Sequence, residues 1–208
     1  MGELRRAHLR SSLIDAVQRL IAVLLLVAFV PLLLLVAALV RGTSRGPVIF
    51  RQTRTGEYGR PFQIYKFRTM RVGAERELLL GARTARHVIR PFMKLDDDPR
   101  VTPVGRMLRA TSLDELPQLW NVVRGEMNLV GPRPLVTYEN SLCPADTGQR
   151  LLVKPGLTGL WQVSGRSDVS TEQALMLDVR YVQRRSLALD LSILLRSTLV
   201  PFTRRGAR

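Results

Sequence analysis

The sequence predicts an α+β protein in which a long apolar helix precedes a mostly helical body carrying a small β-hairpin. Three observations support this. Residues 20–40, LIAVLLLVAFVPLLLLVAALV, run without a charge, and about 20 helical residues at roughly 1.5 Å each match a hydrocarbon core of ~30 Å. Two β-rich runs, 48–52 and 62–67, flank a polar stretch that contains glycine, the pattern of a strand pair. Helical spacing and short helical windows prevail in much of the chain beyond Met70. A chain of 208 residues has room for one domain, or one domain plus a membrane element.

The N-terminal segment is too long for the core of a cleaved signal peptide. It ends in VRGTSRG instead of a small-residue cleavage site. Pro31 interrupts it, and arginine flanks both ends: Arg5, Arg6, Arg10 and Arg19 before it, Arg41, Arg45, Arg51 and Arg54 after it. Positive charge on both sides gives no orientation. Two topologies fit. The helix can break at Pro31, where an N–H is missing and a carbonyl loses its partner, and return to the face it entered, or it can span the bilayer with a kink.

In the rest of the chain, residues 73–90 have helical spacing with arginine on one side. PFMKL (91–95) is a candidate interfacial contact. DDDPRVTP then punctuates the chain, and its acidic run reads as a turn and cap in preference to a cation site. Short helices are expected over 103–110 and 113–124. In the second, Ser112 and Glu115 form an S-x-x-E capping box, yet Pro117 falls within the second turn, so the helix bends or begins later. Either way Asp114 and Glu115 sit at a helix N-terminus, where negative charge gains ~0.3–1 kcal/mol.

NLVGPRPL (128–135) is stiffened by Pro132 and Pro134 on either side of Arg133. KPGLTGLWQVSGR (154–166) is a Gly-rich loop with polar groups, Gln162 among them, and the cations Lys154 and Arg166. Residues 186–202 suit a core helix or one lying in a lipid interface, and are short for a second span. The expected organisation is a membrane element over 1–45, a body over 46–202 and a basic tail over 203–208.

Net charge is +15, and of 32 basic residues only Lys66, Lys94 and Lys154 are lysine. Such a chain seeks anionic partners, and arginine suits bidentate phosphate contacts. Cys143 is the only cysteine, which excludes an intrachain disulfide, and His8 and His87 are too far apart in sequence for a metal motif. Phosphate-loop, nucleophile-elbow and H-E-x-x-H motifs are absent. A non-catalytic, Arg-rich surface module binding anionic lipid or nucleic acid is the alternative. It explains the charge but not the motifs, and with 6% aromatic residues the chain lacks the interleaving of nucleic-acid readers.

Placed together, a carboxylate pair, Arg106 and Arg109 one or two turns upstream, Arg133 on a rigid loop and Lys154 and Arg166 on a Gly-rich loop suggest a phosphate site. A carboxylate can attack phosphorus and split one transfer into two easier ones. The charge of a diphosphate must first be offset, by arginine and usually a divalent metal. Adjacent Asp114 and Glu115 suit the roles of nucleophile and of metal or proton partner.

The stretches GPVIFRQTRTGEYGRPFQIYKFRTM, DDPRVTPVGRMLRATSLDELPQLWNVVRGEMNLVGPRPL and KPGLTGLWQVSGR closely resemble the bacterial sugar transferase family, the monotopic polyprenyl-phosphate phosphoglycosyl transferases. The resemblance runs from about residue 12 to 202, in order, and matches the small members that consist of the catalytic core. It implies transfer of a sugar 1-phosphate from a UDP-sugar to polyprenyl phosphate, typically undecaprenyl phosphate, with release of UMP and Mg²⁺ as cofactor. Asp114 matches the family's nucleophile and Glu115 its dyad partner, both candidate metal ligands. Arg109 and Arg133 match phosphate-site arginines, and Lys66 and Arg68 lie in the KFR signature. Arg106, Lys154, Gln162 and Arg166 complete the candidate substrate-binding set.

The resemblance also implies a re-entrant hairpin broken at Pro31, on the cytoplasmic face of a bacterial inner membrane, with phospholipid and not nucleic acid as the surface partner. Many members carry Ser-Pro at the break, where this chain has Val30-Pro31. The sugar and the oligomeric state stay open, a homodimer included.

Overall fold

A computed structural model describes residues 2–74, 98–165 and 169–199. Most of the helix expected over 73–90, the PFMKL segment, Arg166 and the basic tail lie outside the described residues.

Helices α1 (Gly2–Ala28) and α2 (Val30–Thr43) meet at Phe29 with a bend of 62° between their apolar parts. Pro31, in the first turn of α2, lacks the N–H that a continuous helix would give to the Val27 carbonyl, so the ladder is interrupted where the axis turns. No single described helix is long and apolar enough to cross a membrane; by length and composition the bent pair is.

Each arm packs one side on the body. Ala22 of α1 is buried, and Ile21, Leu25, Leu26 and Phe29 pack with it against a core of Ile64, Leu119, Val122, Met127, Leu129, Val130, Tyr181 and Ile193. Val36 and Val40 of α2, with Leu32, Leu33 and Ala37, join Phe67 and Leu108 in a second core. Side chains of this kind contribute roughly 1.5–3 kcal/mol each when fully buried. The remaining side of the pair, including Leu20, Leu24, Val27, Leu34 and Leu35, is exposed.

Strands β1 (Ile49–Thr55) and β2 (Pro61–Phe67) form the expected antiparallel hairpin, with Gln52 opposite Ile64 and Phe50 opposite Lys66. Strand periodicity puts Gln52, Arg54, Ile64 and Lys66 on one face. Phe67 points to the other, so β2 lies between the two cores.

Helix α3 (Pro103–Thr111) begins as its sequence requires: the Thr102 hydroxyl accepts from Gly105 N–H at 2.9 Å, and Pro103 sits where no donor is needed. The single helix expected over 113–124 is instead a 3₁₀ turn, Leu113–Gln118, followed by α4 (Leu119–Val123). Nor does the capping box form. Ser112 ends α3 in the left-handed conformation (φ 58°) and its side chain caps nothing, while Glu115 turns to Lys66. The turn around DDDPR behaves as read at Asp98, whose carboxylate accepts from the Arg100 N–H and guanidinium.

Beyond this, β3 (Asn128–Val130) and β4 (Gly156–Thr158) pair in parallel. A Cβ on Gly156 would lie 2.0 Å from Gly131 N, so only glycine permits this approach. Helices α5 (Thr137–Ser141), α6 (Leu160–Val163), α7 (Thr171–Arg184) and α8 (Leu187–Leu199), with a 3₁₀ stretch over Ala145–Leu152, complete the body. A Ser170/Gln173 capping box starts α7.

Candidate active site

A narrow cleft opens between the hairpin, the 3₁₀ turn, the loop after β3, strand β4 and helix α6. The hairpin supplies Arg54 and Lys66 from the face defined above. The 3₁₀ turn supplies Glu115 and Gln118, the loop after β3 supplies Arg133, and α6 supplies Gln162. Lys66 Nζ lies 2.6 Å from Glu115 Oε1, an ion pair four-fifths out of water that fixes the acidic turn to β2.

Asp114, beside this pair, is 8% exposed. Burial pushes its carboxyl up to about 6; Lys66 pulls back, Glu115 adds to the rise, and Arg109 pulls back less. The local cations therefore do not fully offset the desolvated carboxylate. Arg109 is held toward it by donating from Nε to Thr69 Oγ1 at 2.9 Å.

The cationic side of the cleft is strained in the opposite sense. Arg54 is lowered to about 10, chiefly by burial and then by the guanidinium of Arg133, against which Glu139 acts from 3.7 Å. Arg54 donates to the Pro134 carbonyl at 3.1 Å, and Arg133 lies 5.7 Å from the Trp161 ring centroid. Two guanidiniums held within mutual repulsion suit an anion between them.

Among the residues expected from sequence, Lys66, Glu115, Arg133 and Gln162 line the cleft; Asp114 is buried next to Glu115 within the field of Lys66 and Arg109, and neither it nor the exposed Arg109 lines the cleft. The fold does not bring Arg68, Lys154 or Arg106 to the cleft, and Arg166 lies outside the described residues. Arg68 is buried away from the cleft and donates to the carbonyls of Pro47 and Ser44 and to Ser44 Oγ, fastening β2 to the end of α2. Lys154 Nζ is 2.7 Å from Asp15 Oδ2 on α1. Arg106 lies on the exposed side of α3 and does not line the cleft. Arg54 and Gln118 were not singled out by sequence reasoning. Their signals are strand parity with Lys66 and an i+4 spacing from Asp114.

The donor set fits Mg²⁺ in one respect: Asp114 and Glu115 are adjacent hard oxygen donors, and Asp114 lacks full cationic compensation. Among the described residues no group of three or more acidic, His or Cys side chains converges. A site of one or two carboxylates suits an ion that draws its other ligands from phosphate and water.

The family model for bacterial sugar transferases matches residues 9–204. The exopolysaccharide production protein ExoY of Sinorhizobium fredii is 45% identical over 191 residues, covering 90% of this chain and 84% of the relative. An undecaprenyl-phosphate galactose phosphotransferase of Salmonella typhimurium is 46% identical over 165 residues, 78% of this chain but 35% of the relative. A UDP-glucose:undecaprenyl-phosphate glucose-1-phosphate transferase of Caulobacter vibrioides is 44% identical over 197 residues, 91% of this chain and 68% of the relative. With its acidic pair, its cleft arginines and a match over nearly its whole length, the chain belongs to the bacterial sugar transferase family.

Proposed function

We propose that this protein transfers a sugar 1-phosphate from a UDP-sugar to polyprenyl phosphate, with undecaprenyl phosphate as the natural acceptor, and releases UMP. The observation that carries the reading is a desolvated carboxyl, Asp114, beside a cleft where Arg54 and Arg133 repel one another. The relatives' names supply the substrate classes.

In the first step an Asp114 carboxylate oxygen attacks the sugar-bearing phosphorus. The bond to the bridging oxygen breaks, and UMP leaves with that oxygen. In the second, a phosphate oxygen of the lipid attacks the same phosphorus and the carboxylate departs, leaving a diphosphate between lipid and sugar. Arg54, Arg109 and Arg133 bind and orient the phosphates, and Lys66 holds Glu115 in place. Mg²⁺ on Asp114 and Glu115 would supply charge neutralisation at the phosphate oxygens.

The surface-module alternative leaves the interior arginines unexplained: Arg54, Arg68, Arg150 and Arg185 are bound inside the fold.

At the membrane, the exposed side of the bent pair enters from the cytoplasmic face and returns to it. Helix α2 has 14 residues, about 21 Å of axial rise, short of a ~30 Å core. Asp15 and Gln18 are bonded to the body, so the lipid-facing part starts near Leu20.

The test is UMP release from a panel of UDP-sugars with undecaprenyl phosphate and Mg²⁺, followed by intact mass without the lipid. Turnover with one sugar, plus a sugar-phosphate adduct mapped to Asp114, is the expected result. Absence of UMP release across the panel overturns the activity. Release that requires both substrates bound at once overturns the covalent route.

A further inference from the structure

The loop that carries Arg133 has its backbone held group by group. Gly131 N–H donates to the Thr158 carbonyl and the Pro132 carbonyl accepts from Gly156 N–H, both at 2.9 Å. The Pro134 carbonyl accepts from Arg54 at 3.1 Å. These partners are backbone or cleft groups. Arg133 alone is held by two buried charges from elsewhere in the chain. Its N–H donates to Asp178 Oδ2 of α7 at 3.3 Å, and its carbonyl accepts from the Arg150 guanidinium at 2.5 Å.

Arg150 and Asp178 pair with each other at 3.1 Å, and both are buried, at 3% and 0% exposure. The pair is not fully satisfied: Arg150 Nε and Asp178 Oδ1 have no hydrogen-bond partner among the described residues, although Arg150 also reaches Asn140 Oδ1 at 3.3 Å. Burying an ion pair costs several kcal/mol of desolvation per ion, and well-packed apolar residues of similar volume often serve stability as well or better. Stability is therefore a poor reason for this pair. Its geometry offers a better one, because the two charges grip the two main-chain polar groups of the residue whose guanidinium lies in the cleft.

We propose that Arg150 and Asp178 are positioning residues that act through Arg133, setting its guanidinium at the place where substrate phosphate binds. The inference rests on the proposed transferase reading of the cleft. With Pro132 and Pro134 limiting φ on either side, the clamp removes the remaining freedom of the Arg133 peptide, so ordering cost is met in folding instead of on binding.

The test is a cycle with Arg133→Ala and the charge-free pair Arg150→Met/Asp178→Leu, which replaces the buried ions by apolar groups of similar size. The double variant is expected to melt near the parent temperature, yet to lose about 10–100-fold in kcat/KM for the UDP-sugar, since a displacement of ~1 Å can cost about 100-fold. In the Arg133→Ala background the same pair should cost less than about threefold further, because the group it positions is gone. Asp178→Asn, which keeps the shape and one acceptor, should retain more activity than the apolar pair.

A double variant with parental kcat/KM overturns the clamp, and so does a loss that multiplies with that of Arg133→Ala. If the pair fails to fold, Asp178→Asn run through the same cycle decides: additivity overturns the proposal and non-additivity supports it. Turnover by the parent protein separates the two levels. Parental UMP release with additive losses defeats the clamp alone, whereas no release by the parent defeats the transferase reading and the clamp with it.

Discussion

At the scale of the residue, Asp114 must be ionised to attack phosphorus, yet burial holds its carboxyl up near 6. Turnover measured as kcat/KM should therefore rise with pH along an acid limb centred near 6, if no Mg²⁺ occupies the free enzyme. The same shift sets a stability cost. A carboxyl whose folded pKa exceeds its unfolded value of 3.8 favours folding while protonated, and that contribution is lost as pH rises through about 6. Above it the ionised group costs on the order of 3 kcal/mol. Asp114→Asn should abolish the adduct and turnover while raising the metal-free melting temperature at pH 7.5 by several degrees, an advantage that fades toward pH 4. Melting curves at the two pH values check this; a variant that keeps turnover defeats the nucleophile assignment. The acidic pair and Arg133 were legible because motif and local rigidity lie in contiguous residues. Arg150 and Asp178 were not, since their relation to Arg133 exists only after α7 packs against the loop.

At the scale of the element, the break at Pro31 was visible as a missing donor in an apolar run, and the hairpin as two β-rich segments around a turn. The parallel pair β3–β4 was not, because three-residue strands carry no usable period and their pairing is set by the approach of Gly131 and Gly156. Helix α7 passed unnoticed although Ser170 and Gln173 carry a capping box. The failed box at Ser112 shows the converse: the end of α3 takes that residue for its own left-handed cap, and Lys66 takes Glu115. For the bent pair, both arms rest on the body, so cysteines placed at Ser12 and Thr43 should react with an impermeant reagent from the cytoplasmic side alone. Labelling from opposite sides means a kinked span, and the lipid-facing assignment of Leu24 and Leu34 fails with the hairpin.

At the scale of the whole molecule, α1 is joined to the body by polar groups as well as by its apolar side. Asp15 accepts from Lys154 at 2.7 Å, from Arg185 at 2.6 Å and from Asn128 at 3.0 Å. Gln18 accepts from Val130 N–H at 2.9 Å and donates to Asp190 at 2.7 Å. One turn of α1 therefore links β3, the residues before β4, the residue that ends α7 and helix α8. Lys154, expected from sequence to meet substrate phosphate, is spent on this junction, and the two roles predict different outcomes for Lys154→Met. A phosphate ligand, once removed, lowers turnover at temperatures where the fold is intact. A junction residue, once removed, lowers stability by about 1–3 kcal/mol for a charged hydrogen bond largely out of water and the melting temperature with it, and turnover falls only as the folded fraction falls. Asp15→Asn should then resemble Lys154→Met in melting. The double variant should cost less than the sum of the singles by at least about 0.5 kcal/mol, because the two act on one contact. Circular dichroism melts and UMP release at a temperature well below the transition measure both quantities on the same samples. Near-parental turnover of Lys154→Met there, with a depressed melting temperature shared by Asp15→Asn, assigns the lysine to the junction; severe loss with unchanged melting returns it to the phosphate site.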